Sequence, residues 1–183
     1  MENLFIGLIG SKTRTKLLTR FFINPQIRSY LRQLAKEFNV STNTVREELN
    51  QLTKTNLLIS EKNGRNVYYT ANTNHPLYPE LKSMVIKVMG IDRVIEDIVN
   101  RLGDLEKAYL IDDYAEGKDT GIIDLIFIGN INTYQLNDLI RKTEPYINRK
   151  IRSLVMNHQE FDEFLPKLKT RPRLLLLENI ENV

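Results

Sequence analysis

Apolar residues recur at helical spacing in three successive segments of the first third of the chain. Intervals of three and four residues predict helices over residues 12–22, over 31–38 and from Ser41 onward, and Pro25 follows the end of the first. Ser41 is expected to cap the third helix, since its hydroxyl can accept from the free amides of the first turn. One stripe of that helix is expected to be buried: Val45, Leu49 and Leu52.

A β-hairpin is predicted directly after the third helix. Its strands cover residues 57–61 and 66–71, and they flank Lys62-Asn63-Gly64-Arg65, where Gly64 supplies the positive φ of a tight turn. The tip of the hairpin is therefore basic. Tyr68 and Tyr69 are adjacent on the second strand, so one is expected in the core and the other at the surface.

The rest of the chain begins with a helical pattern and then alternates strand and helix. The helical period runs over residues 80–102, with Gly90 as a break between two apolar stripes. The further predicted elements are strands at 107–112, 122–128, 150–156 and 173–177 and helices at 133–146 and 159–168.

This order of elements predicts an α+β chain with two domains. Helix, short turn, helix and hairpin is the order of a winged helix-turn-helix, which we assign to residues 1–79. A helical linker or dimerisation segment follows at 80–104, and a small α/β domain occupies 105–183. The apolar stripes of 80–102 fit either a homodimer contact or packing between the two domains of one chain.

The charge of the chain is divided between these two parts. The total is +3, but residues 1–79 carry 11 Lys and Arg against 5 Asp and Glu, while residues 80–183 carry 15 against 18. The balance is thus +6 on the helix-turn-helix and −3 on the remainder, so the two parts are expected to meet different partners.

Composition excludes several classes of site. The chain contains no cysteine, which excludes disulfides, thiolate zinc sites and cysteine catalysis. The apolar runs are far shorter than the ~20 residues of a membrane helix, and Met1-Glu2-Asn3 lacks the basic start of a secretory signal. We therefore expect a cytoplasmic protein that does not enter a membrane.

Polar residues on the third helix have the chemistry that reads base edges in double-stranded DNA. Asn can pair with adenine, Arg with guanine, and Thr can contact thymine. The predicted reading set is Ser41, Thr42, Asn43, Thr44, Arg46 and Asn50. Contacts to the DNA backbone are predicted from Lys12, Arg14, Lys62, Asn63 and Arg65. The alternative is a solvated polar face, and Glu47 and Glu48 count against strong backbone affinity.

Several runs of the first half resemble one family of regulators. Gly10-Ser11-Lys12-Thr13-Arg14, Leu34-Ala35-Lys36-Glu37-Phe38-Asn39-Val40-Ser41 and Thr44-Val45-Arg46-Glu47-Glu48-Leu49 are similar to the winged-helix domain of ArsR-like transcriptional regulators. The stretch from Tyr68 to Leu81 resembles a subgroup in which that domain is fused to a nucleotidyltransferase-like domain. Metal sensing through cysteine thiolates, as in some members of the family, does not carry over to this chain.

The segment at 110–125 resembles the core motif of small nucleotidyltransferases. In such enzymes a Gly-Ser pair follows the first strand, and three carboxylates on later strands hold two metal ions for phosphoryl transfer. Here Asp112-Asp113 replaces Gly-Ser, Ile122 replaces the first carboxylate, Asp124 remains, and the strand at 150–156 has no carboxylate. The resemblance thus implies a nucleotidyltransferase-like domain without catalytic residues, and we expect no cofactor and no metal site.

Two other functions remain open at this point. The chain could be an active nucleotidyltransferase that modifies a protein or RNA, with the winged helix as a docking module. It could also be a protein-interaction module that does not bind DNA. The second domain is expected to sense an unknown effector or to contact a protein, and its acidic residues at 112–124 fit either a solvated loop or a cation site.

Overall fold

A computed structural model describes Gly7 and residues 9–179 of the chain. The chain divides into two compact units between Val88 and Met89, a boundary that lies inside the predicted segment 80–104. Met1, Glu2 and Asn3, on which the expectation about a secretory signal depends, lie outside the described residues. The predicted α+β class is confirmed, and within the described residues no helix combines the length and apolar character required to cross a membrane.

The first unit is a winged helix-turn-helix. Its elements are α1 (Lys12–Ile23), β1 (Ser29–Tyr30), α2 (Leu31–Phe38), α3 (Thr42–Lys54), β2 (Leu58–Asn63), β3 (Asn66–Ala71) and α4 (Tyr78–Val88). The three predicted helices and the hairpin are confirmed. The strands form an antiparallel sheet in the order β1-β3-β2, with β1 as an additional short strand beside the hairpin.

Apolar side chains from all the helices of this unit form its core. The fully buried residues include Leu17, Phe21, Phe22, Leu34 and Leu49. The ring of Tyr78, at the start of α4, stacks on Phe22 with the ring centroids 5.3 Å apart. The core therefore fixes α3 against α1 and α2, and it leaves the polar side of α3 at the surface.

The second unit is a mixed four-stranded sheet with helices. Its elements are α5 (Ile91–Asp97), a 3-10 turn (Val99–Arg101), β4 (Leu105–Ile111), α6 (Asp112–Ala115), β5 (Ile122–Gly129), α7 (Thr133–Ile147), β6 (Lys150–Met156), α8 (His158–Leu168) and β7 (Arg173–Glu178). The strand order is β6-β5-β4-β7. Strands β5 and β6 are parallel, and β4 is antiparallel to both of its neighbours.

The predicted helix at 80–102 is divided where Gly90 was expected to break it. Gly90 has a φ of 74°, and a Cβ atom there would lie 3.0 Å from the side chain of Ile147. Apolar residues on both sides of this break are buried, among them Val85, Ile91, Val94 and Ile98. Helix α4 packs on α1 of the first unit and α5 packs on α7 of the second, so the second stripe is buried in its unit, whereas Leu81, Met84 and Val88 of the first stay half-buried.

Two local predictions are wrong. Asp112 was assigned to the end of a strand, but its φ of 57° is left-handed and it begins α6 instead. Tyr68 and Tyr69 are both half-buried, because Tyr68 packs edge-on against Tyr30 of β1 at 5.6 Å between ring centroids. The short strand β1, which the pattern did not predict, thus covers a residue that would otherwise face solvent.

Candidate functional site

Helix α3 presents a continuous polar face at the surface of the first unit. Val45 and Leu49 are fully buried, and Arg46 and Glu47 between them are exposed. The exposed members of the predicted reading set are Ser41, Thr42, Asn43, Thr44, Arg46 and Asn50. Ser41 also acts as the predicted cap, since its Oγ accepts from the backbone N–H of Thr44 at 3.1 Å. Its hydroxyl therefore has a structural role at the start of the face.

The Arg46 guanidinium is held in place by a neighbour one turn away. Its Nη1 donates to Oδ1 of Asn43 at 2.6 Å, and both side chains are exposed. This hydrogen bond orients the guanidinium on the outward face while its remaining N–H groups stay available to an acceptor. The Arg46 guanidinium and the Asn43 amide are therefore held side by side at the start of α3.

Arg14, predicted to contact the DNA backbone, is paired within the unit. Its Nε donates to Oε2 of Glu48 at 2.7 Å, and its guanidinium also donates to Gln51. Ser11 donates to the other oxygen of Glu48 at 2.5 Å. Arg14 and Ser11 thus tie the start of α1 to α3. Glu48 is turned inward and its charge is paired with that of Arg14. It therefore does not repel an anion at the outward face.

The hairpin ends in a tight, basic turn. Asn63 pairs with Asn66 across the strands, and the two-residue turn between them has Gly64 at a φ of 58°, as in a type II′ turn. The predicted backbone contacts Lys62, Asn63 and Arg65 are exposed there, and Lys12 is exposed at the start of α1.

Two further exposed cations on this unit were not predicted from the sequence. Arg32 and Lys36 are exposed one turn apart on α2, the helix that crosses the DNA backbone in helix-turn-helix proteins. Their spacing of four residues, opposite the buried Leu34 and Phe38, is the signal that could have identified them. They enlarge the basic surface beside α3.

The base of the hairpin is braced by an aromatic and ionic cluster. Arg28 lies over the ring of Tyr68, 5.2 Å from its centroid, and forms an ion pair with Glu61 at 2.9 Å. These contacts join the segment before β1 to both strands of the hairpin.

In the second unit, the three aspartates of the predicted degenerate motif all form ion pairs. Asp112 accepts from Nε of Arg171 at 2.9 Å, and Asp124 is bound by Arg152 through two hydrogen bonds of 2.6 and 2.8 Å. Asp113 lies 4.0 Å from Nζ of Lys118, and Ile122 is partly exposed opposite Lys150. Among the described residues, no three His, Asp or Glu side chains gather as they would around a metal ion.

A partly buried polar cluster joins the loop before β5 to the loop before β6. Arg149 donates to Asp119 through Nε and Nη2, the latter at 2.5 Å, and through Nη1 to the carbonyl of Ile147 at 2.7 Å. The Tyr114 hydroxyl donates to the same carboxylate. Burial acts to raise the pKa of Asp119, but the hydrogen bonds from Arg149 and Tyr114 outweigh it and lower that pKa. Burial raises the pKa of Tyr114, so both groups keep their ordinary charge at neutral pH.

The chain has low similarity to two solved structures. Reduced HlyU from Vibrio cholerae is 16% identical, with 48% of this chain and 83% of that chain covered and a TM-score of 0.37. A proposed nucleotidyltransferase from Sulfolobus solfataricus is 17% identical, with 56% of this chain and 89% of that chain covered and a TM-score of 0.36. No family model and no curated protein matches the sequence. Both TM-scores are low, so neither similarity assigns a function to the chain.

Proposed function

We propose that the chain is a sequence-specific DNA-binding transcriptional regulator that binds double-stranded DNA as a homodimer. The observation that supports this function is the exposed polar face of α3, with Arg46 and Asn43 pre-arranged on it and Glu48 turned away. A helix in this position enters a major groove about 12 Å wide, where Arg and Asn discriminate guanine and adenine. A homodimer would place two such helices on half-sites one helical turn apart.

The cations around α3 would position the helix on the DNA without choosing the sequence. Lys12, Lys62 and Arg65 are exposed, as are Arg32 and Lys36 of α2. Each such cation that neutralises a phosphate releases a counterion, so the affinity is expected to fall with salt. Arg14 is excluded from this set because its charge is already paired with Glu48.

The decisive experiment is in vitro selection of bound DNA, followed by titration of variants against the selected site. Arg46→Ala should cost about 1–3 kcal/mol on the selected site and relax the choice of one base pair. Arg65→Ala should weaken selected and unrelated DNA alike and reduce the salt slope by about one. Arg141→Ala, which removes an exposed cation from the second unit, is the charge-matched control and should bind as wild type does.

Equal binding of Arg46→Ala and wild type to the selected site would refute the assignment of α3 as the reading helix. If the wild-type chain showed no salt-dependent retention on DNA, the protein-interaction module would be favoured instead.

We further propose that the second unit does not transfer nucleotides and instead senses an effector or contacts a protein. Two-metal phosphoryl transfer needs carboxylates that are free to bind the ions. Ile122 supplies none, and Asp112 and Asp124 are engaged by Arg171 and Arg152.

To test this, the full chain would be incubated with radiolabelled nucleoside triphosphates, Mg²⁺ and Mn²⁺. Total cellular protein and RNA would serve as acceptors. We expect that neither acceptor becomes labelled. Labelling that wild type supports and Asp124→Asn abolishes would establish the active transferase and overturn this proposal.

A further inference from the structure

Strand β7 is an edge strand with an unusual composition. Among the described strands only β4 pairs with it, and its sequence from Arg173 to Glu178 is an arginine, four leucines and a glutamate. Leu175 is 43% exposed and the other three leucines are only half-buried. Unpaired backbone groups beside exposed leucines form a template for the addition of another strand.

The opposite edge of the same sheet has the features that prevent such pairing. Strand β6 carries Lys150 and Arg152, both exposed and both held by carboxylates of the unit. Charged side chains on an edge strand are a common protection against the addition of further strands. Among the described residues, β6 therefore carries a charge within the strand, at Arg152, whereas the charges of β7 stand only at its two ends, around four consecutive leucines.

The sequence of β7 is complementary to itself when two copies run antiparallel. About a two-fold axis between Leu175 and Leu176, Arg173 of each copy lies opposite Glu178 of the other. The leucines then lie opposite leucines, with Leu174 facing Leu177. Opposite charges directly across an antiparallel pair stabilise it, and like charges destabilise it.

A bulge in β7 allows these charged pairs to form in one continuous sheet. In a regular strand, residues five apart point to opposite faces, so Arg173 and Glu178 could not meet. In β7, however, Leu175 pairs with Tyr109 and Leu177 with Ala108, which leaves Leu176 as an extra residue. As a result Arg173 and Glu178 both share the face of the sheet that holds Tyr109.

From these features we infer that a second copy of this chain pairs with β7 in antiparallel orientation and extends the sheet across a two-fold axis. The product has eight strands with the charged β6 at each outer edge, so the assembly closes as a dimer. Glu178 already forms an ion pair with Lys107 at 2.7 Å, and Arg173 of the second copy would join that pair at each end. The inference gives the proposed homodimer an interface within the second unit, and it does not depend on DNA binding.

Two leucines of nearly equal exposure provide a matched test by sedimentation or light scattering of the full chain. Wild type is expected to be dimeric at micromolar concentration. Leu175→Lys on β7, where the side chain is 43% exposed, should give a monomer, whereas Leu154→Lys on β6, at 44%, should remain dimeric. Thermal unfolding by circular dichroism would check that both variants fold. A monomeric wild type, or equal effects of the two substitutions, would overturn the inference.

A charge exchange tests the pairing itself. Arg173→Glu and Glu178→Arg should each raise the dissociation constant of the dimer by at least about tenfold, because each creates two like-charge contacts across the axis. The double variant R173E/E178R restores opposite charges and should return the constant to near the wild-type value. Additive loss in the double variant would contradict the antiparallel register.

Cross-linking can read the register directly, because the chain contains no cysteine of its own. A mixture of Leu174→Cys and Leu177→Cys proteins should form a disulfide-linked dimer under mild oxidation. Neither protein alone should do so, since identical positions lie roughly 10 Å apart in this register, beyond the reach of a disulfide. Cross-linking of either protein alone, to the same extent as the mixture, would refute the register.

The outcomes separate this inference from the proposed function. A monomeric Leu175→Lys chain that still binds a single DNA half-site would support both the interface and the reading helix. A wild type that dimerises through β7 but shows no retention on DNA would leave the interface intact and refute the proposed function.

Discussion

Gly129→Ala is expected to destabilise the second unit by about 3–5 kcal/mol, the largest loss among the substitutions considered. Gly129 ends β5 with a φ of 140°, and a Cβ atom there would overlap the carbonyl oxygen of Asp104 and approach the backbone nitrogen of Glu106 to 3.1 Å. Both obstacles are backbone atoms of the neighbouring strand region, so no side chain can move aside. The sheet would have to open between β4 and β5, which urea denaturation followed by circular dichroism would measure.

Two other glycines of the same unit serve as controls. Gly103 has open space around it and no positive φ, so Gly103→Ala should change the free energy of unfolding by no more than about 0.5 kcal/mol. Gly121 also has open space, but its φ is 80°, so Gly121→Ala should cost about 1–2 kcal/mol from backbone strain alone. If Gly129→Ala unfolded at the same urea concentration as Gly103→Ala, the backbone of residues 104–106 could not approach Gly129 as closely as the structure shows.

Arg149→Met is expected to destabilise the second unit by about 3 kcal/mol. The substitution keeps much of the side chain's bulk but removes the charged donor of Asp119, whose partly buried carboxylate is left with the Tyr114 hydroxyl and the Gly121 N–H. A carboxylate that loses its partner in such a site costs far more than one at the surface. Arg152→Met is the matched control, because Arg152 also binds an aspartate through two hydrogen bonds but is 68% exposed, against 11% for Arg149. It should cost much less than Arg149→Met, because solvent screens an exposed ion pair.

The same cluster should show a defined dependence on pH. Because its partners hold the pKa of Asp119 below the usual value of 3.8, the contribution of the ionised carboxylate is fully present above that value. The contribution is lost as the pH falls through the lowered pKa of the folded chain. Asp119→Asn should therefore be less stable than wild type at neutral pH, and the difference should shrink as the pH falls below 3.8. A constant difference across this range would show that the ionised form is not the one stabilised.

The elements that the sequence predicted well are those fixed by local chemistry. Val45, Leu49 and Leu52 lie on one side of a helix by period alone, and their burial follows. Ser41 is a cap because its hydroxyl is short and precedes the free amides, whatever the rest of the fold. Gly64 occupies a left-handed turn position for the same kind of local reason.

The features that could not be predicted depend on contacts between distant residues. Arg14 and Glu48 are 34 positions apart, and Asp112 and Arg171 are 59 apart. No periodicity links such positions, so Arg14 was expected to meet phosphate and Asp112 to end a strand. Strand β1 is only two residues long, too short to produce an alternating pattern, and it exists because β3 offers it an edge.

Three asparagines, rather than glycines, occupy left-handed positions at the ends of helices: Asn39 after α2, Asn56 after α3 and Asn148 after α7. Glycine there would leave the unfolded chain with more conformations to lose on folding, at a cost of about 1 kcal/mol or less for each position. Asparagine tolerates the left-handed conformation and reduces that entropic loss. The turn at Asn39 therefore reaches its folded geometry from a smaller set of unfolded conformations. The turn between α2 and the helix that we propose reads DNA is thus stabilised through the unfolded chain as well as through packing.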